Sequence, residues 1–230
     1  MSCADVTMII RENGPVTGRK CGALDMGYQT TTHADVRRGI SPEIGAASID
    51  LRRKGSDMIV YALSVDQGIL GISSLPGVNG DYAGDVRHLA EWKPAIVVSL
   101  VTEVELVAAG AAGLWRDLGD AGTRWEHLPI ADFDVPDDDF MENWPAVSNT
   151  ARRALLGGGR VLLHCRGGCG RSGMVALRLM IEVGEAADEA LERLRAVRPC
   201  AVETPAQMAW ARNARRAPAV FVRHEDNAAK

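Results

Sequence analysis

Hydrophobic positions follow two rhythms in this chain, and the alternation between them divides it into elements. Residues 58–63 and 68–72 are short runs rich in Ile, Val, Leu and Tyr with a turn between them, and they predict two strands. Residues 95–101 form a continuous apolar run around Ile96, Val97 and Val98, the texture of a strand buried on both faces in a parallel sheet. Residues 124–130 alternate as a further strand, and Val161, Leu162 and Leu163 form a last apolar run before a glycine-rich loop.

Between these runs the period lengthens to that of a helix. Helices are predicted over 85–92, closed by Pro94, and from Thr102, where Thr102 and Glu105 have the spacing of a capping box. Another spans 137–156, interrupted at Pro145 and ended by Gly157, Gly158 and Gly159. A periodic segment with Val175, Leu177, Leu179, Met180 and Ile181 follows the glycine-rich loop, and two more helices cover 186–197 and 205–214. Strands alternating with helices imply an α/β fold, a central and mostly parallel sheet flanked by helices. Ligands in such folds sit outside the carboxyl ends of the strands, and Cys165 stands at one. Residues 1–55 lack sustained periodicity and read as an N-terminal extension of unreadable role, 56–218 as the folded domain, and 219–230 as a C-terminal tail.

Composition narrows the partners more than the fold. Of 230 residues 47% are hydrophobic, enough for a sizeable core. Twenty-six basic against thirty acidic side chains give a net charge of −4, with no Lys/Arg run longer than three, so neither nucleic acid nor an anionic membrane is an expected partner. The five cysteines, at 3, 21, 165, 169 and 200, are odd in number and irregularly spaced, which indicates neither a disulfide framework nor a zinc site. His33 and Cys21 lack partners at ligand spacing, so no metal is expected. The apolar stretch 6–10 is too short for a signal-peptide core, and no apolar run reaches the roughly 18 residues of a membrane span; a cytoplasmic protein is expected.

The chemistry concentrates in residues 164–174. A strand runs into a loop with glycines at 167, 168, 170 and 173, and the loop runs into a helix N-terminus. Successive loop N–H groups can converge there on one anion, and the helix dipole adds to their field, so Arg166, Gly167, Gly168, Cys169, Gly170 and Arg171 form a candidate phosphate cradle. Arg171 adds a planar fork suited to two phosphate oxygens. Cys165 opens the loop among those same groups, which favour a thiolate, and a thiolate beneath a bound phosphoryl group is a nucleophile aimed at phosphorus. Expelling an alkoxide or phenolate then requires a general acid on a nearby loop, and Asp132, Asp134, Asp137, Asp138 and Asp139 all qualify by type.

The spacing His164-Cys165, five residues, Arg171-Ser172 resembles the signature loop of the cysteine-dependent protein tyrosine and dual-specificity phosphatases. Pro129-Ile130-Ala131-Asp132 followed by Pro136-Asp137 looks like the acid loop of their kinase-associated branch. Further matches are 70–77 with Asp85-Val86-Arg87, and Arg198-Pro199 followed by 201–207, so the resemblance covers about 68–214. It implies a protein tyrosine phosphatase-like fold, a phosphoprotein substrate and no cofactor. It also implies Asp132 as general acid, with Asp134 the alternative. Ser172 would donate a hydrogen bond to the Cys165 sulfur, or serve simply as a helix N-cap. Gln207 would place the hydrolytic water, or complete a capping box with Thr204. His164 would orient the loop. Cys169 departs from the family pattern and is expected to be an unpaired thiol rather than a partner of Cys165, because cradle side chains point away from the N–H concavity. A rhodanese-type sulfurtransferase and a phosphate-binding module without turnover share parts of the pattern, but neither needs Arg171, Ser172 and an acid together.

Overall fold

The computed structural model describes residues 58–221 and, as backbone, the strand β1 (Met8–Ile9). The elements that follow are β2 (Tyr61–Val65), β3 (Gly68–Ser73), α1 (Tyr82–Trp92), β4 (Ile96–Ser99), α2 (Glu103–Ala108), α3 (Leu114–Asp120) and β5 (Arg124–His127). The second half contains α4 (Asp138–Leu156), β6 (Arg160–His164), α5 (Gly170–Val183), α6 (Ala187–Val197) and α7 (Pro205–Arg212).

The strands form one six-stranded sheet in the order β1-β2-β3-β6-β4-β5. β3, β6, β4 and β5 run parallel, while β1 and β2 add antiparallel strands beside β3. The expected α/β architecture is therefore present, and the two residues of β1, inside the stretch read as an extension, lengthen its antiparallel edge. The rest of that stretch, and 222–230 of the tail, lie outside the described residues.

β4 and β6 occupy the middle, and their near-continuous apolar runs follow from burial on both faces: Val97, Val98, Leu162 and Leu163 are fully inaccessible. The two faces can be told apart on β3. A methyl group added at Gly68 would meet Leu155 of α4, whereas one added at Gly71 would meet Trp92 of α1; residues an odd number apart on a strand point to opposite faces, so helices cover both. Register fixes the functional edge, because Ser73, His164, Ser99 and His127 lie in one row across β3, β6, β4 and β5, each at the carboxyl end of its strand.

α4 corrects one expectation, since it continues through Pro145 without interruption. Proline removes one backbone bond, but Phe140, Trp144, Val147, Ala151 and Leu155 form a buried stripe spanning the proline, each large side chain contributing about 1.5–3 kcal/mol. Trp144 and Ser148 also donate to the buried carboxylate of Glu182 on α5, which Arg178 Nε approaches at 3.0 Å. These contacts offset the missing bond. Among the described residues, no helix is long and apolar enough to cross a membrane, and no group of side chains has the make-up of a metal site.

Candidate active site

The last residue of β6, His164, is buried, and its Nε2 lies 2.5 Å from Ser99 Oγ, which also accepts from Trp125 Nε1 at 2.7 Å. Burial, partly countered by the Cys165 backbone, pushes the imidazole down to about 3, so the ring stays neutral. It acts as a fixed post at the strand end. The chain then turns into the loop and α5 begins at Gly170, with Cys169 at the N-cap position but without a side-chain cap.

One glycine in the loop is required by geometry. Gly168 has φ +69°, and a Cβ there would come within 2.7 Å of the Ser73 carbonyl. A Cβ on Gly170 would instead meet the end of the exposed Glu203 side chain, which is free to move aside. The loop carbonyls are fixed from outside: Arg198 donates from Nε to Gly168 O and from Nη2 to Gly167 O, both at 2.8 Å, and Leu75 N donates to Arg166 O at 3.2 Å. In a trans peptide the N–H points opposite to the carbonyl, so pinning these three carbonyls outward turns the amides of residues 167–169 the other way.

Cys165 is buried, and its Sγ lies 3.3 Å from Ser172 Oγ. Ser172 sits inside the first turn of α5, fully buried and not at the N-cap, with its hydroxyl against the sulfur. The thiol opens onto a cavity of about 490 Å³ whose lining includes Ser74, Val78, Asp132, Phe133, Arg166, Arg171 and Glu203. The cavity also reaches Gly167, Cys169 and Gly170, so five of the six cradle positions named from the sequence line it, and Gly168 packs against Ser73 instead.

Arg171 has carboxylate partners that the sequence does not mark. Its terminal fork faces Glu105, with Nη1 to Oε2 and Nη2 to Oε1 both 2.8 Å, and Nη1 also donates to Ile130 O at 3.0 Å. Nη2 is 3.0 Å from Asp132 Oδ1 as well. Arg171 is thus clamped by a carboxylate, with Nη2 also facing the half-exposed Asp132. Glu105 was legible in the sequence only as a capping-box residue. It is that too, accepting from Thr102 N at 2.9 Å. The Arg171 hydrogen bonds, with help from Thr102 and against burial, hold its carboxyl down at about 2.

The geometry also separates the acidic residues. Asp132 faces the cavity, whereas Asp134 turns its carboxylate to Val135 N at 2.8 Å and does not line it. Asp137 caps α4 by accepting from Phe140 N at 2.9 Å, and Asp138 and Asp139 lie in that helix's first turn. Phe133, next to Asp132, holds φ +61° and stands 62% exposed at the cavity wall. Gln207 is buried outside the cavity lining. Its Oε1 completes the capping box of α7, while its Nε2 donates to Asp134 O at 3.2 Å, tying the acid loop to that helix.

Cys169 is not the free thiol expected: it is bonded to Cys200, with the Cα atoms 5.2 Å apart. The bond to Cys200 leaves Cys165 without a disulfide partner, as expected. It joins Cys169 to the turn after α6, which the sequence does not mark as a neighbour. Among the described residues, Cys165 is the free cysteine.

The sequence profile of the family described as PTP-SAK, Swiss Army Knife protein, DSP-PTPase phosphatase domain, matches residues 67–227, more than half of the chain. The chain belongs to this family. It is therefore a protein-tyrosine/dual-specificity phosphatase, a phosphoric monoester hydrolase, and neither the sulfurtransferase nor the inactive-module reading is favoured. No curated protein sequence matches the chain. Among solved structures, kinase associated phosphatase with its catalytic cysteine changed to serine shares the fold, with a TM-score of 0.59 and 24% identity over 66% of this chain and 90% of that one. Tk-PTP in its active form is 31% identical, with a TM-score of 0.50, over 61% of this chain and 87% of its own. PTPMT1 is 21% identical, with a TM-score of 0.53, over 66% and 92% respectively.

Proposed function

We propose that this phosphatase hydrolyses phosphotyrosine, and also phosphoserine or phosphothreonine, in protein substrates through a phosphocysteine on Cys165. The observation that carries the reading is the convergence of Cys165, Arg171 and Asp132 on one cavity, with Asp132 Oδ1 3.0 Å from Arg171 Nη2. The Cys165 thiolate attacks phosphorus, the bond to the substrate oxygen breaks, and Asp132 gives that oxygen its proton. The loop amides and Arg171 hold the equatorial oxygens as charge spreads over them.

In the second step Asp132, now a carboxylate, takes a proton from water as the water attacks phosphorus. The sulfur leaves as a thiolate, and the Ser172 hydroxyl, 3.3 Å away, donates to it. Gln207 contributes by holding the acid loop through Asp134 O rather than by touching the reacting atoms. No cofactor or metal takes part. The folded catalytic domain is 56–218.

The test is phosphate release from p-nitrophenyl phosphate and from a panel of phosphopeptides, with thiosulfate as the competing substrate. Thiosulfate turnover without phosphate release would replace this reading with the sulfurtransferase one.

A further inference from the structure

The structure assigns a second reactive sulfur site, the Cys169–Cys200 bond, as a thiol–disulfide exchange site whose state sets the rigidity of the phosphate cradle; the consequence for phosphate rests on the function proposed above. Three observations carry it. The bond joins position 169 of the signature loop to the turn after α6, across a separation of 31 residues. Its two residues are unequally placed: Cys200 is exposed, whereas Cys169 is half-buried with Arg198 Nη2 3.2 Å from its Sγ. And Arg198 is the same side chain that holds the Gly167 and Gly168 carbonyls.

An incoming thiolate attacks at Cys200, the exposed residue of the pair. The S–S bond breaks with its electron pair going to Cys169, whose thiolate forms beside the Arg198 guanidinium; stabilising the leaving thiolate speeds exchange. The incoming sulfur ends in a mixed disulfide with Cys200. A dithiol reductant completes the reaction, since its second thiolate attacks the mixed disulfide, releases Cys200 as a thiolate and leaves the reductant oxidised by two electrons.

Reduction has two effects on the cradle. The loop loses its covalent tie to the turn that supplies Arg198. The new Cys169 thiolate then competes with the Gly167 and Gly168 carbonyls for that guanidinium, so the carbonyls that turn the loop amides inward are held less firmly. The Cys165 sulfur takes no part in the exchange, which separates this site from oxidation of the nucleophile.

The test uses the full-length protein purified in air. Alkylation without reductant followed by peptide mapping should find Cys169 linked to Cys200 and Cys165 modified. A brief pulse of glutathione, quenched in acid, should place glutathione on Cys200, and Arg198→Gln should slow that step. Reduction by a dithiol should speed amide hydrogen exchange over 166–170 and weaken binding of inorganic phosphate roughly twofold to tenfold, the effect of losing one hydrogen bond. Cys200→Ser, at an exposed position, should reproduce the reduced behaviour and abolish the response to dithiol. Free Cys169 in the air-purified protein, a Cys165–Cys169 link, glutathione on Cys169, or identical hydrogen exchange in both states would each overturn the assignment. Absence of phosphatase turnover in both states would count against the catalytic reading instead, because mapping and hydrogen exchange judge the exchange site by themselves.

Discussion

Glu105 grips Arg171 through both carboxylate oxygens, each 2.8 Å from a terminal nitrogen of the guanidinium. The pair sets the plane of the arginine before any substrate arrives, and it does so at every working pH, because the Arg171 hydrogen bonds keep the Glu105 carboxyl down at about 2. Such a carboxylate contributes stability that is present above the ordinary value of 4.5 and is lost as pH falls through about 2. Glu105→Gln keeps the size and half of the hydrogen bonds but lets the guanidinium turn. The expected result is a loss in kcat/KM of roughly 10²-fold, the scale of a small misplacement of a reacting group. Steady-state kinetics beside a melting curve checks it, and wild-type turnover in this variant would mean that Ile130 O and Asp132 suffice to hold Arg171.

His164 makes a prediction about stability rather than rate. Burial lowers its folded value to about 3 from an ordinary 6.5, so between those values the unfolded chain takes up a proton that the folded chain refuses. Stability is therefore full above about 6.5 and falls as pH drops toward 3, with a slope of about 1.4 kcal/mol per pH unit for one proton. His164→Asn removes this term from the pH dependence while other acidic groups still contribute. Urea denaturation of both proteins from pH 4 to 7 should show the steeper loss in the wild type, and parallel curves would show that His164 titrates normally.

How far the sequence could carry this reading depends on where each residue's partner lies. Cys165, Ser172 and the loop glycines sit within one strand-loop-helix, so local spacing reveals them. Asp132 needed the resemblance, because five aspartates of one type compete in one loop and only the fold separates the one facing the cavity from those capping α4. Glu105 was visible in its local task, and its second task lies 66 residues away on Arg171. The Arg198 clamp and the Cys169–Cys200 bond are long-range in the same sense, about 30 residues apart along the chain and joined only once α5 and α6 fold back. Pro145 misled for a different reason: propensity marks a break, while the buried stripe of α4 spans it.

Cys165→Ser should abolish turnover and keep phosphate binding, since the loop amides and Arg171 survive while the hydroxyl is not ionised. Calorimetric titration with inorganic phosphate, run beside the activity assay, separates the two. Substantial residual hydrolysis would exclude the covalent intermediate.

Chelators should leave activity unchanged, because the thiolate and Arg171 fill the tasks a metal would perform, supplying a nucleophile and neutralising charge. Loss of activity in EDTA that a divalent ion restores would contradict the proposed mechanism.

The choice between Asp132 and Asp134 has the sharpest test. Asp132 lines the cavity beside Arg171, whereas the Asp134 side chain accepts from Val135 N and its carbonyl accepts from Gln207. Asp132→Asn removes the proton donor with little change in size, so it should lower kcat by roughly 10²–10⁴-fold on substrates with poor leaving groups. The loss should shrink as the leaving group improves, because a phenol with a pKa near 10 needs protonation that an activated aryl phosphate needs far less. Asp134→Asn should instead act through the loop, changing kcat by a similar factor for every leaving group. Both variants measured across a series of aryl phosphates give two slopes of log kcat against leaving-group pKa. A steep slope for Asp132→Asn with a wild-type slope for Asp134→Asn supports the assignment; the reverse pattern would move the acid to Asp134 and require its carboxylate to leave Val135 N and swing into the cavity.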